Sequence, residues 1–264
     1  MKIPNNETPG FQFKRIALLG MSGLGKTFIS QNLSKNDNWS HYSVDYEIGK
    51  LLFKNEHENL FEGFTIDNLT NLSNFLGKPG SSSKGGITFS EYVLRQRLHC
   101  EAEKEATLNA CSLIEKSPDL SELVCDTSGS ICELVNPSDK EDKLLTSLSR
   151  NFLIICLEAP DSIYQVLIDR FLARPKPMYY EENFLHSLWQ TFKIGSKDTE
   201  DKINPDDFMI FGFKALIERR KAIYDMIAKN WGIKLNFDIL RSVKTAADLM
   251  EVVQSEIEIK VKSQ

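Results

Sequence analysis

Short apolar runs that alternate with helical patterns organise this chain. "KRIALLG" (14–20) is a continuous apolar run ending in glycine, the pattern of a strand buried on both faces of a parallel sheet. "ELVCD" (122–126), "NFLIICLEA" (151–159) and "GIKLNF" (232–237) repeat it, and "HYSVD" (41–45) is a weaker version. Between them, helical patterns cover about 25–35, 46–54, 88–116, 138–149, 160–173, 212–230 and 245–260. "PSDKED" and "APDS" read as capped helix starts with acidic first turns. Strands alternating with helices predict right-handed crossovers and an open α/β fold of about five parallel strands sandwiched by helices. Ligands of such a fold belong at the carboxyl ends of the strands.

Two stretches exceed this alternation. Residues 54–90 are polar and contain "GKPGSSSKGG" (77–86), whose composition predicts a flexible, solvated loop without a phosphate role, since it has neither an adjoining apolar strand nor a GK[ST] ending. Residues 174–211 are rich in aromatics and punctuated by "RPKP" and "INPDD", as expected of a lid or binding insertion. The expectation is one domain over 1–264 with insertions at about 54–90 and 174–211.

Composition narrows the classes. With 41% hydrophobic and 26% charged residues, the chain reads as an ordinary globular protein, with no apolar run approaching a membrane span. The start "MKIPNNETPGFQFK" lacks both the apolar core of a secretory signal and an Arg-rich amphipathic pattern, so a cytoplasmic location is expected. A net charge of −5 argues against nucleic acid or anionic membrane as a partner and leaves room for a local basic pocket and a small-molecule ligand. Cys100, Cys111, Cys125, Cys132 and Cys156 show no CxxC spacing and read as reduced core thiols, without a structural metal. His41, His57, His99 and His186 read as structural or exposed, and Trp39, Trp189 and Trp231 as core or hinge anchors. Oligomeric state stays open between monomer and dimer.

Chemistry enters at residues 20–27, Gly-Met-Ser-Gly-Leu-Gly-Lys-Thr, between a predicted buried strand and a predicted helix. In that setting, glycines let backbone N–H groups converge on phosphate oxygens and the helix N-terminus adds a favourable dipole. Lys26 supplies a point charge for the β- and γ-phosphates, and Thr27 a hydroxyl for Mg²⁺. The candidate nucleotide-binding set is Gly20, Ser22, Gly23, Leu24, Gly25, Lys26, Thr27 and Phe28, with ATP and Mg²⁺ as cofactors. Asp126, closing the apolar run "LVCD", is the candidate second metal carboxylate; its alternative is an Asx turn over "DTSGS". Periodicity places Arg220 on the apolar stripe of Phe213, Leu216, Ile217, Tyr224 and Ile227, where an arginine needs an anionic partner or a route to water. Arg219 falls off that stripe and reads as a solvated charge.

"HYSVDYEIG", "CDTSGSI", "RPKP" and "LIERRKAIYDMIA" occur in the order seen in shikimate kinases, and the chain resembles that family of P-loop kinases over most of 14–258. The resemblance implies a P-loop NTPase fold and transfer of the γ-phosphoryl group of MgATP. Asp45 would then bind the acceptor hydroxyl and take its proton, although an aspartate there also suits a helix N-cap. Arg220 would hold an acceptor carboxylate, Gly129 would line the acceptor site, and Arg174 would close a lid over the transferring group with Arg170 near the base. One arginine of "EYVLRQRLHCEAE" would also face the acceptor; Arg95 is the candidate, and Arg97 cannot share its face.

Ser43 stands where the family has an aspartate, Ser128-Gly129-Ser130 replaces a triple glycine, and the lid is longer after Arg-Pro. These departures lie in the acceptor half, so the acceptor implied is a small anionic metabolite other than shikimate. Alternatives are a nucleoside or nucleotide kinase, or an ATP-dependent switch that binds a protein partner.

Overall fold

The computed structural model describes residues 14–53, 70–117, 120–240 and 242–262. Its packing divides the chain into two compact units: unit 1 is Met1–Val44, Glu105–Asp161 and Lys221–Gln264, and unit 2 is Asp45–Lys104 and Ser162–Arg220.

Unit 1 holds a five-stranded, all-parallel sheet in the order β2-β3-β1-β4-β5. Its strands are β1 (Arg15–Leu19), β2 (Ser40–Ser43), β3 (Leu123–Asp126), β4 (Leu153–Glu158) and β5 (Ile233–Asn236). All five predicted strands form; the runs at 14–20, 122–126 and 151–159 become the central strands, with Ile16 to Leu19 wholly buried, while 232–237 forms the edge strand β5. Helix α1 (Lys26–Asp37) leads from β1 to β2 on one side, while the neighbouring β4 leads to β5 on the other. The strand order thus reverses beside β1, which is where open α/β sheets leave a crevice for ligands.

The other helices are α2 (Val44–Phe53), α3 (Thr70–Leu76), α4 (Phe89–Lys116), α5 (Lys143–Asn151), α6 (Asp161–Ala173), α7 (Glu182–Ser196), α8 (Pro205–Trp231), the one-turn α9 (Phe237–Leu240) and α10 (Ala246–Lys262). Three boundaries differ from expectation. Helix α5 begins at Lys143 rather than near 138, because Asp142 caps it through Leu145 N–H and also accepts from Asn136 N–H, holding 136–142 in turns. Helix α8 begins seven residues early, at Pro205, where the fixed φ of proline suits a first helical position. The insertion 174–211 contains α7, capped by Glu181 and burying Leu185, Leu188 and Trp189 at i, i+3 and i+4.

Unit 2 is built around aromatics. Trp189 stacks on Phe89 with centroids 4.6 Å apart and meets Phe208 edge-on at 4.9 Å. The stretch 77–86, expected to be a flexible solvated loop, is anchored to the segment before α8: Ser81 N–H donates to Ile203 C=O and Lys84 Nζ to Lys202 C=O. Its glycines serve close approach, since a β-carbon on Gly80 would stand 2.9 Å from Ile203 O. The part of the 54–90 insertion at 54–69 lies outside the described residues. Among the described residues, no helix is long and apolar enough to cross a membrane.

Candidate functional site

In unit 1, the turn after β1 is shaped by Gly20, Gly23 and Gly25, whose φ values of 148°, 93° and 87° are costly for any residue with a β-carbon. Gly25 is the N-cap of α1, so Lys26, Thr27 and Phe28 form the first helical turn, the end at which the helix dipole favours an anion. Leu24, 1% exposed, pins the loop to the core, whereas Ser22, Gly23, Thr27 and Phe28 lie open to solvent. The Lys26 side chain folds back beneath the loop: its ammonium donates to Gly20 C=O at 2.7 Å and Met21 C=O at 3.4 Å. A positive charge is therefore held against the carbonyls of the turn.

Asp126 ends β3, its Cα paired in register with Leu18 of β1 and with Ser43 of β2. Its carboxylate is buried, and Nε2 of His41 lies 3.7 Å from Oδ2. The turn that follows packs on the phosphate loop. Thr127 donates to Leu18 C=O, Ser130 N–H to Oγ of Ser128, and Tyr224 Oη to Gly129 C=O. Gly129 touches the loop backbone, for a β-carbon there would be 2.6 Å from Ser22 N.

The donor set suits Mg²⁺. Thr27 and Asp126 offer hard oxygens, and Mg²⁺ takes one or two such protein ligands while keeping waters and substrate phosphates. Among the described residues there is no cluster of three or more His, Cys, Asp and Glu fit to hold a metal unaided.

Unit 2 carries the candidate acceptor residues. Asp45 is the second residue of α2, in its first turn, rather than the last of a strand, because β2 stops at Ser43. Arg220 is 3% exposed, as its place on the stripe requires, and donates to Tyr179 C=O at 2.8 Å. Arg95 is half-buried, with Nε on Glu91 at 2.7 Å and Nη1 on Phe75 C=O at 3.0 Å. Arg97 lies on the exposed side and forms a two-pronged pair with Glu182. Arg170, in the last turn of α6, and Arg174, just beyond it, are exposed. Arg219 is more than a solvated charge: its guanidinium lies 4.7 Å over the Phe184 ring and 3.8 Å from Glu181.

Several residues here were not singled out from sequence. Tyr92, Gln96, His99 and Glu103 follow one face of α4 and are buried, although three are polar or ionisable throughout. They grip the chain after "RPKP": Tyr92 Oη and Gln96 Nε2 donate to Met178 C=O, and Tyr180 N–H donates to Gln96 Oε1. Lys78 Nζ holds Pro175 C=O. The His99 ring stacks on Tyr179, and burial with Arg220 nearby lowers its pKa to about 4. Lys176 sits in the field of Asp45, which favours its charge, and of Arg220, which opposes it; burial is the largest influence and lowers its pKa. The 3- and 4-residue spacing of the α4 face was a readable signal, but nothing in it distinguished a buried polar stripe from a solvated one.

A glycine turn on a helix N-terminus, placed at the switch point of a 2-3-1-4-5 parallel sheet with a buried carboxylate on the adjacent strand, defines the fold of the P-loop nucleotide-binding α/β proteins. Among solved structures, the chain is similar to a shikimate kinase from Bacteroides thetaiotaomicron, at 15% identity over 92% of this chain and 98% of that one, with a TM-score of 0.44. It is also similar to the shikimate kinase of Aquifex aeolicus, at 18% identity over 95% and 99% of the two chains and a TM-score of 0.41. A third is the enzyme of Acinetobacter baumannii solved in complex with shikimate, at 15%, 96%, 95% and 0.39 in the same order. No protein-family model matches the sequence, and no curated protein matches it. The class rests on strand order and the phosphate turn, not on these likenesses.

Proposed function

We propose that this chain is an ATP-dependent phosphotransferase that moves the γ-phosphoryl group of MgATP to a hydroxyl of a small anionic metabolite other than shikimate. The observation that carries the reading is the phosphate turn of unit 1, with Lys26 held beneath it and the buried carboxylate of Asp126 at the end of the neighbouring strand β3. The amides of residues 22–27 and the Lys26 ammonium bind phosphates, while Thr27 and Asp126 would hold Mg²⁺. When bound, that ion offsets charge on the phosphate oxygens.

In unit 2, Asp45 orients the attacking hydroxyl and takes its proton, as a carboxylate can in a loose phosphoryl-transfer transition state. Arg220 and Arg95 serve acceptor binding, and the cationic residues imply an acceptor with a carboxylate or another anionic group. Arg174 supplies charge to the transferring group and Arg170 contacts the nucleotide. Transfer is direct, without a phosphoenzyme.

Incubation with γ-labelled ATP, Mg²⁺ and a small-metabolite extract, followed by chromatography and mass spectrometry, tests the reading. The expected result is a labelled metabolite absent with Lys26→Ala. Nucleosides and nucleoside monophosphates belong in the panel; if only these were labelled, the acceptor class would be wrong, and free phosphate alone would overturn the kinase reading.

A further inference from the structure

Asp126 has a buried neighbour that the phosphotransfer reading does not use. His41 precedes Ser43 by two residues on β2, so both point to the same side of the sheet as Val124 and Asp126 on the paired strand. The facing position itself holds Ser43, which is uncharged. His41 reaches diagonally instead, placing Nε2 3.7 Å from Asp126 Oδ2, with the two side chains only 9% and 6% exposed. That nitrogen is buried and has no hydrogen-bond partner among the described residues.

A buried ring nitrogen without a partner is costly, and one aimed at a carboxylate has an evident use. A carboxylate oxygen can only accept, so the fitting tautomer carries its proton on Nε2. A contraction of under 1 Å makes the contact an ordinary N–H···O bond.

Resting on the reading of Asp126 as a metal carboxylate, we propose that His41 is a positioning residue for the Mg²⁺ site. Its Nε2–H holds one oxygen of Asp126 and leaves the other for the ion's water shell. Partners of this kind fix the direction in which a ligating carboxylate presents its lone pairs, and their loss weakens metal binding without touching the metal. The imidazole orients the carboxylate without adding negative charge beside the phosphates.

The test is calorimetric binding of a non-hydrolysable ATP analogue to the full chain, with EDTA and across a Mg²⁺ series. His41→Phe and His41→Leu, which both lack the N–H, should raise half-saturating Mg²⁺ by about 10- to 100-fold. Their affinity for the analogue in EDTA should equal that of the natural protein. His41→Gln, which can place an amide N–H where Nε2 stands, should stay near the natural Mg²⁺ requirement. The proposal is overturned if the Phe and Leu variants keep the natural requirement, if Gln fails as badly as they do, or if affinity falls equally in EDTA. Asp126→Asn separates the two layers: if it shifts the Mg²⁺ requirement while His41→Phe does not, only the role of His41 falls. If Asp126→Asn changes nothing, the metal reading beneath it fails.

Discussion

The α-carbon of Gly129 faces the backbone of Ser22 so closely that a β-carbon would stand 2.6 Å from the Ser22 nitrogen. Backbone cannot yield as a flexible side chain can, so any larger residue at 129 must push the phosphate turn out of shape. The glycine retained between Ser128 and Ser130 is therefore a packing requirement of the nucleotide side as well as a candidate acceptor contact.

Gly129→Ala is expected to weaken nucleotide binding by at least about 10-fold, read by calorimetry, since displaced amides no longer converge on one phosphate. Gly195→Ala, where the added carbon meets nothing within 4 Å, should leave binding unchanged and stabilise α7 by up to about 1 kcal/mol.

Lys26 lies under the turn with its charge on two loop carbonyls. Lys26→Met should keep the fold while lowering phosphotransfer by at least about 100-fold, as expected when a group stabilising transition-state charge is lost. Activity within a few-fold of the natural protein in a steady-state assay would contradict its assigned role.

Asp45→Asn keeps the shape of the first turn of α2 and removes the proposed base. Phosphorylation of the acceptor should fall by about 100-fold or more with ATP affinity unaltered. Comparable losses in both would instead point to a structural contribution.

His99 gives stability a pH dependence. Its pKa falls from 6.5 to about 4 on folding, because burial, reinforced by the nearby Arg220 charge, disfavours the imidazolium. The unfolded chain therefore binds a proton that the folded chain refuses, and this contribution is complete above pH 6.5 and lost as pH falls toward 4. Urea unfolding at pH 7.5 and 5 should show the natural protein losing about 2 kcal/mol more than His99→Gln. Equal losses would show that the ring is not the group responsible.

Lys260 of α10 caps the end of α8, donating to Ala228 C=O at 2.7 Å, Lys229 C=O at 3.0 Å and Gly232 C=O. Lys260→Met retains the apolar stem and should cost about 1–2 kcal/mol in chemical denaturation, as these carbonyls lose their charged donor. An unchanged midpoint would mean that water replaces it fully.

What the sequence determined by itself was whatever depends on neighbours in the chain. Apolar runs fixed the central strands β1, β3 and β4, because a strand buried on both faces has no polar position to spare, while the edge strands β2 and β5 left a weaker, mixed pattern. The phosphate turn was legible because three glycines, a lysine and a threonine at set spacing need only a strand before and a helix after. Arg220 could be placed inward by counting turns from Phe213.

Tertiary structure decided the rest. Helix α7 was obscured by the aromatics that let unit 2 build its own core, and the order of 77–86 depends on carbonyls more than 100 residues away, at Lys202 and Ile203. The approach of His41 to Asp126 likewise arises from strands that pair across an interval of about 80 residues. Periodicity reports which face of an element is buried; it carries no information about which distant group that face meets, and the chemistry of this protein depends on such meetings.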